Sequence, residues 1–397
     1  MELKLNRTQR QTQGLRKWAK ADYNGIFQFP TGFGKTFTAI RAIKGMIKKK
    51  NIQTVVVVVP TLTLQEQWEI ELKKHKIKIA KVYVINTAAK KDLDVDFLIL
   101  DEIHRYAAET FKLVFENISA KFILGLTATL ERGDGLHKII LEHSKVVDVV
   151  TVVDALKNRW ISSFKVYNIA VPFPEEEAIA YKKANNGFKH FAAKLGGKFD
   201  AFATAQEWIK SDDKEQQGKA AAYYNSMRAR KKICLNNTNK IPAIKKLVDY
   251  FDDRNGLLFS SNTEFADTAQ KTLGDIAMTF HSKIGKRDQK KVIKRFKDKR
   301  TKVRILSTVK ALNEGFDVPN SSLGIIAGST SSRITFIQQL GRVVRFVEGK
   351  NAIMINLYTP DTQEEVWVKK RTVDIDPALI VDCTINEFFK IIKDDKK

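Results

Sequence analysis

The sequence predicts an α/β protein with two parallel-sheet domains in tandem. Three observations carry that reading. Short apolar runs rich in Val, Ile, Leu and Phe alternate with helical patterns along most of the 397 residues. These runs lack period-two alternation, as strands buried on both faces do. They fall into two sets of about five, separated by a stretch with few strand signals. Each set suits one domain of ordinary size.

The first set of expected strands is 25–29, 54–60, 81–85, 97–100 and 122–126, with helical patterns such as 36–49 and 63–74 between them. Strand–helix alternation implies right-handed βαβ units and parallel sheets. This set defines a first domain, 1–158, and leaves 159–397 to a second. Segment 163–173 alternates enough to be the second domain's first strand. Residues 174–236 are rich in helix formers, as in 175–184 and 218–232, and read as a helical insert near the start of that domain. The second set follows at 256–260, 277–280, 303–307, 324–327 and 352–357.

Composition narrows the function classes. Hydrophobic residues make up 43% and charged residues 29%, a soluble globular balance. Lys plus Arg is 69 against 45 Asp plus Glu, a net charge of +24. That excess points to a polyanionic partner, nucleic acid before an anionic membrane surface, unless it merely solvates Lys-rich faces. Cys234 and Cys383 are too few for a disulfide framework or a Cys-rich zinc site, which suits a reducing compartment. No run of 18 apolar residues exists to span a membrane, and the N-terminus lacks a secretory apolar region.

The chemistry starts at the first expected strand. It runs into Pro30-Thr31-Gly32-Phe33-Gly34-Lys35-Thr36 and then a helical pattern. Strand, Gly-containing turn and helix N-terminus form a phosphate cradle, with inward backbone N–H groups and a favourable dipole. Lys35 is expected to meet the β- and γ-phosphates of a bound nucleotide and the Thr36 hydroxyl to bind Mg²⁺. The strict pattern asks for Gly where Phe29 stands. A second apolar strand ends in Asp101-Glu102-Ile103-His104. Ligands gather at the carboxyl ends of parallel strands. Asp101 therefore suits the metal ion, and Glu102 suits activation of the attacking water.

On a helix, Gln338, Arg342 and Arg345 would share one face, while Ile337, Leu340 and Val344 anchor another. Two guanidinium groups so aligned suit the charge that develops on a transferring phosphoryl group; the bland alternative is surface ion pairs. Nine Lys and Arg residues between 286 and 300 either lie on duplex DNA or form a solvated back face. The insert interleaves basic residues with Tyr181, Phe188, Phe191, Tyr223 and Tyr224. These aromatics either stack bases or form the insert's own core.

Taken together, the phosphate loop and Asp-Glu-Ile-His resemble superfamily 2 helicases of the DEAD and DEAH kind. Further landmarks follow in order. Pro60–Trp68 resembles motif Ia, Leu126-Thr127-Ala128-Thr129 motif III, Ser307-Thr308 through Pro319 motif V, and Gln338–Arg345 motif VI. Arg7-Thr8-Gln9 is similar to the adenine-reading motif. Phe29 before the loop, Trp68 closing motif Ia, and the residues after Thr129 are similar to the XPB, RadD and UvsW subgroup, whose small stand-alone members are frequent in phages.

The resemblance implies two RecA-like domains and an ATP-dependent DNA helicase or translocase acting on single-stranded, forked or branched DNA. It implies that Gln9 reads adenine and that Gly315 and Asp317 meet the nucleotide. It also implies that Thr61, Thr127, Thr129 and Thr308 serve the nucleic-acid track. An RNA helicase of the same superfamily and an ATP-switched clamp without strand separation are the alternatives. A monomer in the cytoplasm or on the nucleoid is expected, in the host cytoplasm if phage-encoded.

Overall fold

The computed structural model describes residues 5–394 except 108, 131–134, 136, 310–320, 346 and 348. The first sheet contains β1 (Asn24–Gln28), β2 (Val55–Val59), β3 (Ala80–Val84), β4 (Leu93–Asp101), β5 (Ile118–Thr127) and β6 (Val146–Val149). Their spatial order is β3-β2-β4-β5-β1-β6, with every pairing parallel. The helices around them are α1 (Arg7–Lys20), α2 (Lys35–Lys50), α3 (Leu62–Lys74), α4 (Ile85–Ala88), α5 (Glu109–Asn117), α6 (His137–His143) and α7 (Val152–Lys157). All five valines of β2 are buried, as expected of an interior strand covered on both faces.

Helix α1 begins in a capping box: Gln9 N–H donates to Asn6 Oδ1, and Asn6 N–H donates to Gln9 Oε1. Its buried stripe is Gln11, Gly14 and Trp18. Gly14 permits a close approach, since a methyl group there would lie 2.7 Å from Asp148 Oδ2. The buried Asp148 carboxylate takes the Arg10 guanidinium through both oxygens and Lys17 Nζ at 2.6 Å. This ion cluster fastens α1 to β6.

Three helices follow the second sheet's first strand: α8 (Glu175–Lys194), α9 (Gly197–Trp208) and α10 (Lys214–Leu235). Then come α11 (Lys240–Tyr250), α12 (Thr263–Leu273), α13 (Lys286–Lys297), α14 (Arg333–Val343), α15 (Gln363–Arg371) and α16 (Ile385–Asp394). The strands are β7 (Ser163–Ala170), β8 (Gly256–Ser260), β9 (Ala277–Phe280), β10 (Ile305–Val309), β11 (Leu323–Ile326), β12 (Asn351–Tyr358) and β13 (Ile380–Thr384). Their order is β13-β7-β12-β11-β8-β10-β9, again all parallel. The fold is the expected tandem of parallel-sheet units with a helical insert.

Two edge strands were not expected. β6 is only four residues long and carries the buried acid Asp148. β13 buries only Cys383 fully, so its sequence lacks a continuous apolar run. The insert's aromatics resolve toward a core of their own: Phe188, Phe191, Trp208 and Tyr224 pack against buried Ala192, Leu195, Ala205 and Tyr223. Tyr181 packs at the root on Phe173, ring centroids 5.4 Å apart. Arg230 lies over the Phe188 ring at 3.8 Å and covers that face. α13 turns Val292 and Phe296 inward and most of its charges outward. No helix among the described residues is long and apolar enough to cross a membrane.

Candidate functional site

The carboxyl ends of β1, β2, β4 and β5 lie along one edge of the first sheet, and the motif residues sit there. The loop after β1 turns through Gly32 at φ +89° and Gly34 at φ +97°. L side chains rarely adopt that conformation, so glycine is required at both positions. Gly34 is the N-cap of α2 and supplies no side-chain cap, which leaves the first amides of the helix to a ligand. Phe29 does not enter the cradle. Its ring is fully buried, stacked on Phe27 at 4.8 Å and edge-on to Phe33 at 5.0 Å.

Lys35 is 9% exposed. Its amine donates to Phe29 O at 3.3 Å and lies 3.9 Å from Glu102 Oε1. Thr36 is half-buried on the first turn of α2. Asp101 ends β4 and is buried, with Oδ2 accepting from Trp68 Nε1 at 2.9 Å and Oδ1 from Glu102 N–H at 3.0 Å. Burial, reinforced by the Glu102 charge, pushes its carboxyl up to about 6. Glu102 has φ +49°, a sparsely populated conformation for a residue with a side chain.

A chain of contacts leads away from Glu102. His104 Nδ1 lies 3.5 Å from Glu102 Oε2 and 3.1 Å from Thr127 Oγ1. The Thr127 hydroxyl donates to Thr129 O at 2.6 Å and accepts from Thr129 N–H. Its one proton is thereby committed, so His104 Nδ1 is the donor to it. Thr127 is fully buried. It is an internal link between the carboxylates and the β5 exit.

Other expectations fare differently. Gln9 is exposed and committed to its capping box. Gln11, two residues on, reaches the loop instead, with Nε2 donating to Phe33 O at 2.9 Å. Thr61 caps α3 by accepting from Leu64 N–H at 3.3 Å, at the exit of β2. Thr129 lines a cavity of about 640 Å³ shared with Gln28, Pro30 and Ile337. Thr308 is 1% exposed inside β10, so its hydroxyl is sealed from any strand at the surface. Gly315 and Asp317 lie outside the described residues.

The second unit meets the loop through α14. Gly341 lies directly on Thr31: a Cβ there would be 2.1 Å from Thr31 Cβ. A Cβ built on Gly32 would sit 3.6 Å from Arg345 Cα. Ile337, Leu340, Val343 and Val344 are buried in the same apolar cluster as Phe33 and Trp160, and so anchor the helix as expected. Gln338 is buried on α14 and Arg342 is half-buried in its last turn. Arg345 corrects the helical-face expectation, because α14 stops at Val343 with Val344 as C-cap. Its Lys350 neighbour is pushed down to about 8 by burial and by the Arg345 charge.

These groups suit a triphosphate with a hard cation. Open helix amides, Lys35 and the Arg345 backbone close by surround the loop, and the Thr36 hydroxyl and the buried Asp101 carboxylate are oxygen donors of the kind Mg²⁺ takes. No cluster of three or more His, Cys, Asp or Glu that could hold a metal on its own occurs among the described residues.

Comparisons with known proteins agree with the geometry. Residues 239–347 match the helicase conserved C-terminal domain, and residues 3–96 and 76–132 match the type III restriction enzyme res subunit. The DNA 3'-5' translocase XPB2 of Sulfurisphaera tokodaii is 26% identical over 380 residues, covering 91% of this chain and 83% of that protein. Putative helicase 22 of a Sulfolobus islandicus filamentous virus is 24% identical, covering 87% of this chain and 63% of the viral protein. Among solved structures, the Pyrococcus furiosus Hef helicase domain has a TM-score of 0.58 at 15% identity, covering 92% of this chain and 99% of that one. At that identity the likeness is one of fold.

Proposed function

We propose that this chain, a superfamily 2 helicase of the XPB-like kind that hydrolyses ATP, works as a DNA translocase on single-stranded, forked or branched DNA. The observation that carries the reading is the seating of α14 on the phosphate loop, Gly341 against Thr31 and Arg345 Cα beside Gly32. It supports a nucleotide site completed by both units. The DNA 3'-5' translocase among its relatives favours DNA over RNA.

Lys35 and the α2 amides bind the phosphates. Thr36 and Asp101 would hold Mg²⁺, which would offset phosphate charge. Trp68 fixes one Asp101 oxygen and leaves less freedom for the other. Glu102 orients a water and accepts its proton as the water oxygen attacks the γ-phosphorus, with ADP leaving. Gln338, Arg342 and Arg345 face the developing charge from the second unit. Gln11 braces the loop from α1, and adenine contact falls to the Gln9 region. Gly315 and Asp317 complete the nucleotide contacts by resemblance alone.

Because both units grip ATP, binding draws them together and hydrolysis releases them. A strand lying across both units feels alternating grip. Thr61 marks where the first unit's grip begins, at the β2 exit. Glu102, His104, Thr127 and Thr129 form the physical line from the hydrolysis site to the β5 exit, where Thr129 lines the cavity shared with Ile337 of the second unit.

ATPase rates with single-stranded DNA, duplex DNA, forked DNA and RNA test the reading. Stimulation by DNA is the expected result, and stimulation by RNA alone would make the chain an RNA helicase. DNA affinity is expected to fall with salt at a log–log slope of roughly −0.7 per phosphate contact on single strands. A salt-insensitive affinity would overturn the backbone-tracking mechanism.

A further inference from the structure

We infer that the segment joining the two sheets, Trp160-Ile161-Ser162, is a positioning element that fixes the backbone of Arg345 against the phosphate loop. It rests on the proposed action of Arg345 on the γ-phosphate.

Arg345 needs an external hold. α14 ends two residues before it, and the Val344 amide makes the last bond of the helical ladder, to Leu340 O at 3.0 Å. The arginine therefore sits on a backbone that the helix no longer fixes. Ser162 supplies what is missing on both sides. Its N–H donates to Val344 O at 3.1 Å, and its hydroxyl donates to Arg345 O at 2.9 Å. One residue thus holds the peptide units before and after the Arg345 Cα. The Ser162 oxygen also accepts from Val347 N–H at 3.1 Å, and Lys350 Nζ adds a second donor to Arg345 O at 3.3 Å.

The same segment grips the loop at its other end. Ile161 Cγ2 lies 3.7 Å from where a Gly32 Cβ would be, so it packs on the turn itself. The Trp160 ring stands edge-on to Phe33 with centroids 5.5 Å apart, and its Nε1 donates to Leu5 O at 2.9 Å. Trp160, Ile161 and Ser162 are 6%, 2% and 3% exposed. Three consecutive buried residues thus touch loop, loop and arginine backbone in turn. A connection serving only as a tether needs none of these contacts. A site held to within a fraction of an ångström does need them, since a misplacement of about 1 Å can cost about 100-fold in rate.

The test compares Ser162→Ala, Ser162→Thr, Arg345→Ala and the Ser162→Ala/Arg345→Ala double variant in DNA-stimulated ATP turnover. Ser162→Ala is expected to lower kcat about tenfold, the worth of one net hydrogen bond in a barrier, with KM for ATP within about twofold. Ser162→Thr, which keeps the hydroxyl, is expected to recover most of the loss. In the Arg345→Ala background the serine substitution is expected to cost nothing more. Affinity for ADP with aluminium fluoride, against ADP alone, reads the same coupling where turnover is too slow to follow.

Equal losses in both backgrounds would make Ser162 a merely structural residue and overturn the inference, as would wild-type kcat in Ser162→Ala. Wild-type turnover in Arg345→Ala itself would instead strike down the proposed role of the arginine, and this inference with it. Should Ser162→Ala fail to fold, Ser162→Cys, a weaker donor of similar size, is expected to show an intermediate loss of kcat. Full activity there would overturn the coupling.

Discussion

The two walls of the proposed nucleotide cleft are built on different principles. The first unit's wall is a set of side chains linked directly to one another: Lys35 to Glu102, Glu102 to His104, His104 to Thr127, and Trp68 to Asp101. It is complete within one unit. The second unit's wall is delivered by backbone contact, Gly341 on Thr31 and the Arg345 peptide on Ser162. Side-chain chemistry is thus local on one side, and on the other it depends on how two units are seated. Damage to the first wall should abolish chemistry outright, whereas damage to the second should slow turnover while leaving nucleotide bound.

The sharpest way to break that contrast is Lys35→Ala. ATP hydrolysis is expected to fall at least about 1,000-fold, since the loop loses its own cation, while DNA binding without nucleotide persists. A DNA-stimulated rate near normal would remove the phosphate-loop assignment. Next comes Arg345→Ala, expected to cut DNA-stimulated turnover at least about 100-fold with ATP affinity nearly intact. Arg345→Lys should recover little, because a point charge lacks the planar fork. A large drop in melting temperature, with turnover lost only in proportion, would mark Arg345 as structural.

Gly341→Ala probes the seating alone. Its methyl group would fall 2.1 Å from Thr31 Cβ, so the units must part; turnover is expected to drop about tenfold or more. Thr31→Gly in the same chain removes those atoms and should recover part of the rate. Absence of any recovery would mean that the two surfaces do not meet in the working enzyme. The mildest substitution is Trp68→Phe. It keeps the packing but removes the donor to Asp101, and turnover is expected to fall only a few-fold to about tenfold, the worth of one ordinary net hydrogen bond. A loss as deep as that of Lys35→Ala would show that the indole does more than orient a carboxylate.

The first wall was legible in the sequence because its pieces are short and local. A strand, a turn with two glycines and a helix opening with Lys-Thr identify the loop, and an apolar run ending in Asp-Glu identifies its partner. The second wall was legible only in part. Motif VI marks the right helix, but nothing in Gly341-Arg342-Val343-Val344-Arg345 announces that the helix stops at Val343. Neither glycine nor proline follows closely enough to signal an end. Nor could spacing show that Thr308 is sealed inside β10.

Gln11 was missed although a signal existed. Gln11, Gly14 and Trp18 recur at three and four residues, the buried stripe of α1, and a glutamine on such a stripe must find a partner inside. The roles of Trp160, Ile161 and Ser162 left no trace, because they arise from contacts with residues 127 to 185 positions away along the chain.

The insert illustrates how a fold can be added to without being rewritten. Its chain leaves β7 after Ala170 and returns at Asn237, whose amide donates to Val171 O at 2.9 Å and to Thr359 Oγ1 at 3.0 Å. Exit and return are therefore stitched together at one point, and Thr238 ties the seam again to Glu177. Just beyond it the buried Lys240 amine spans Cys234 O and the Glu364 carboxylate. The far ends of the three helices rest on their own small core. A module rooted this way can be lengthened, shortened or exchanged at its tip while the parallel sheet beneath keeps its register.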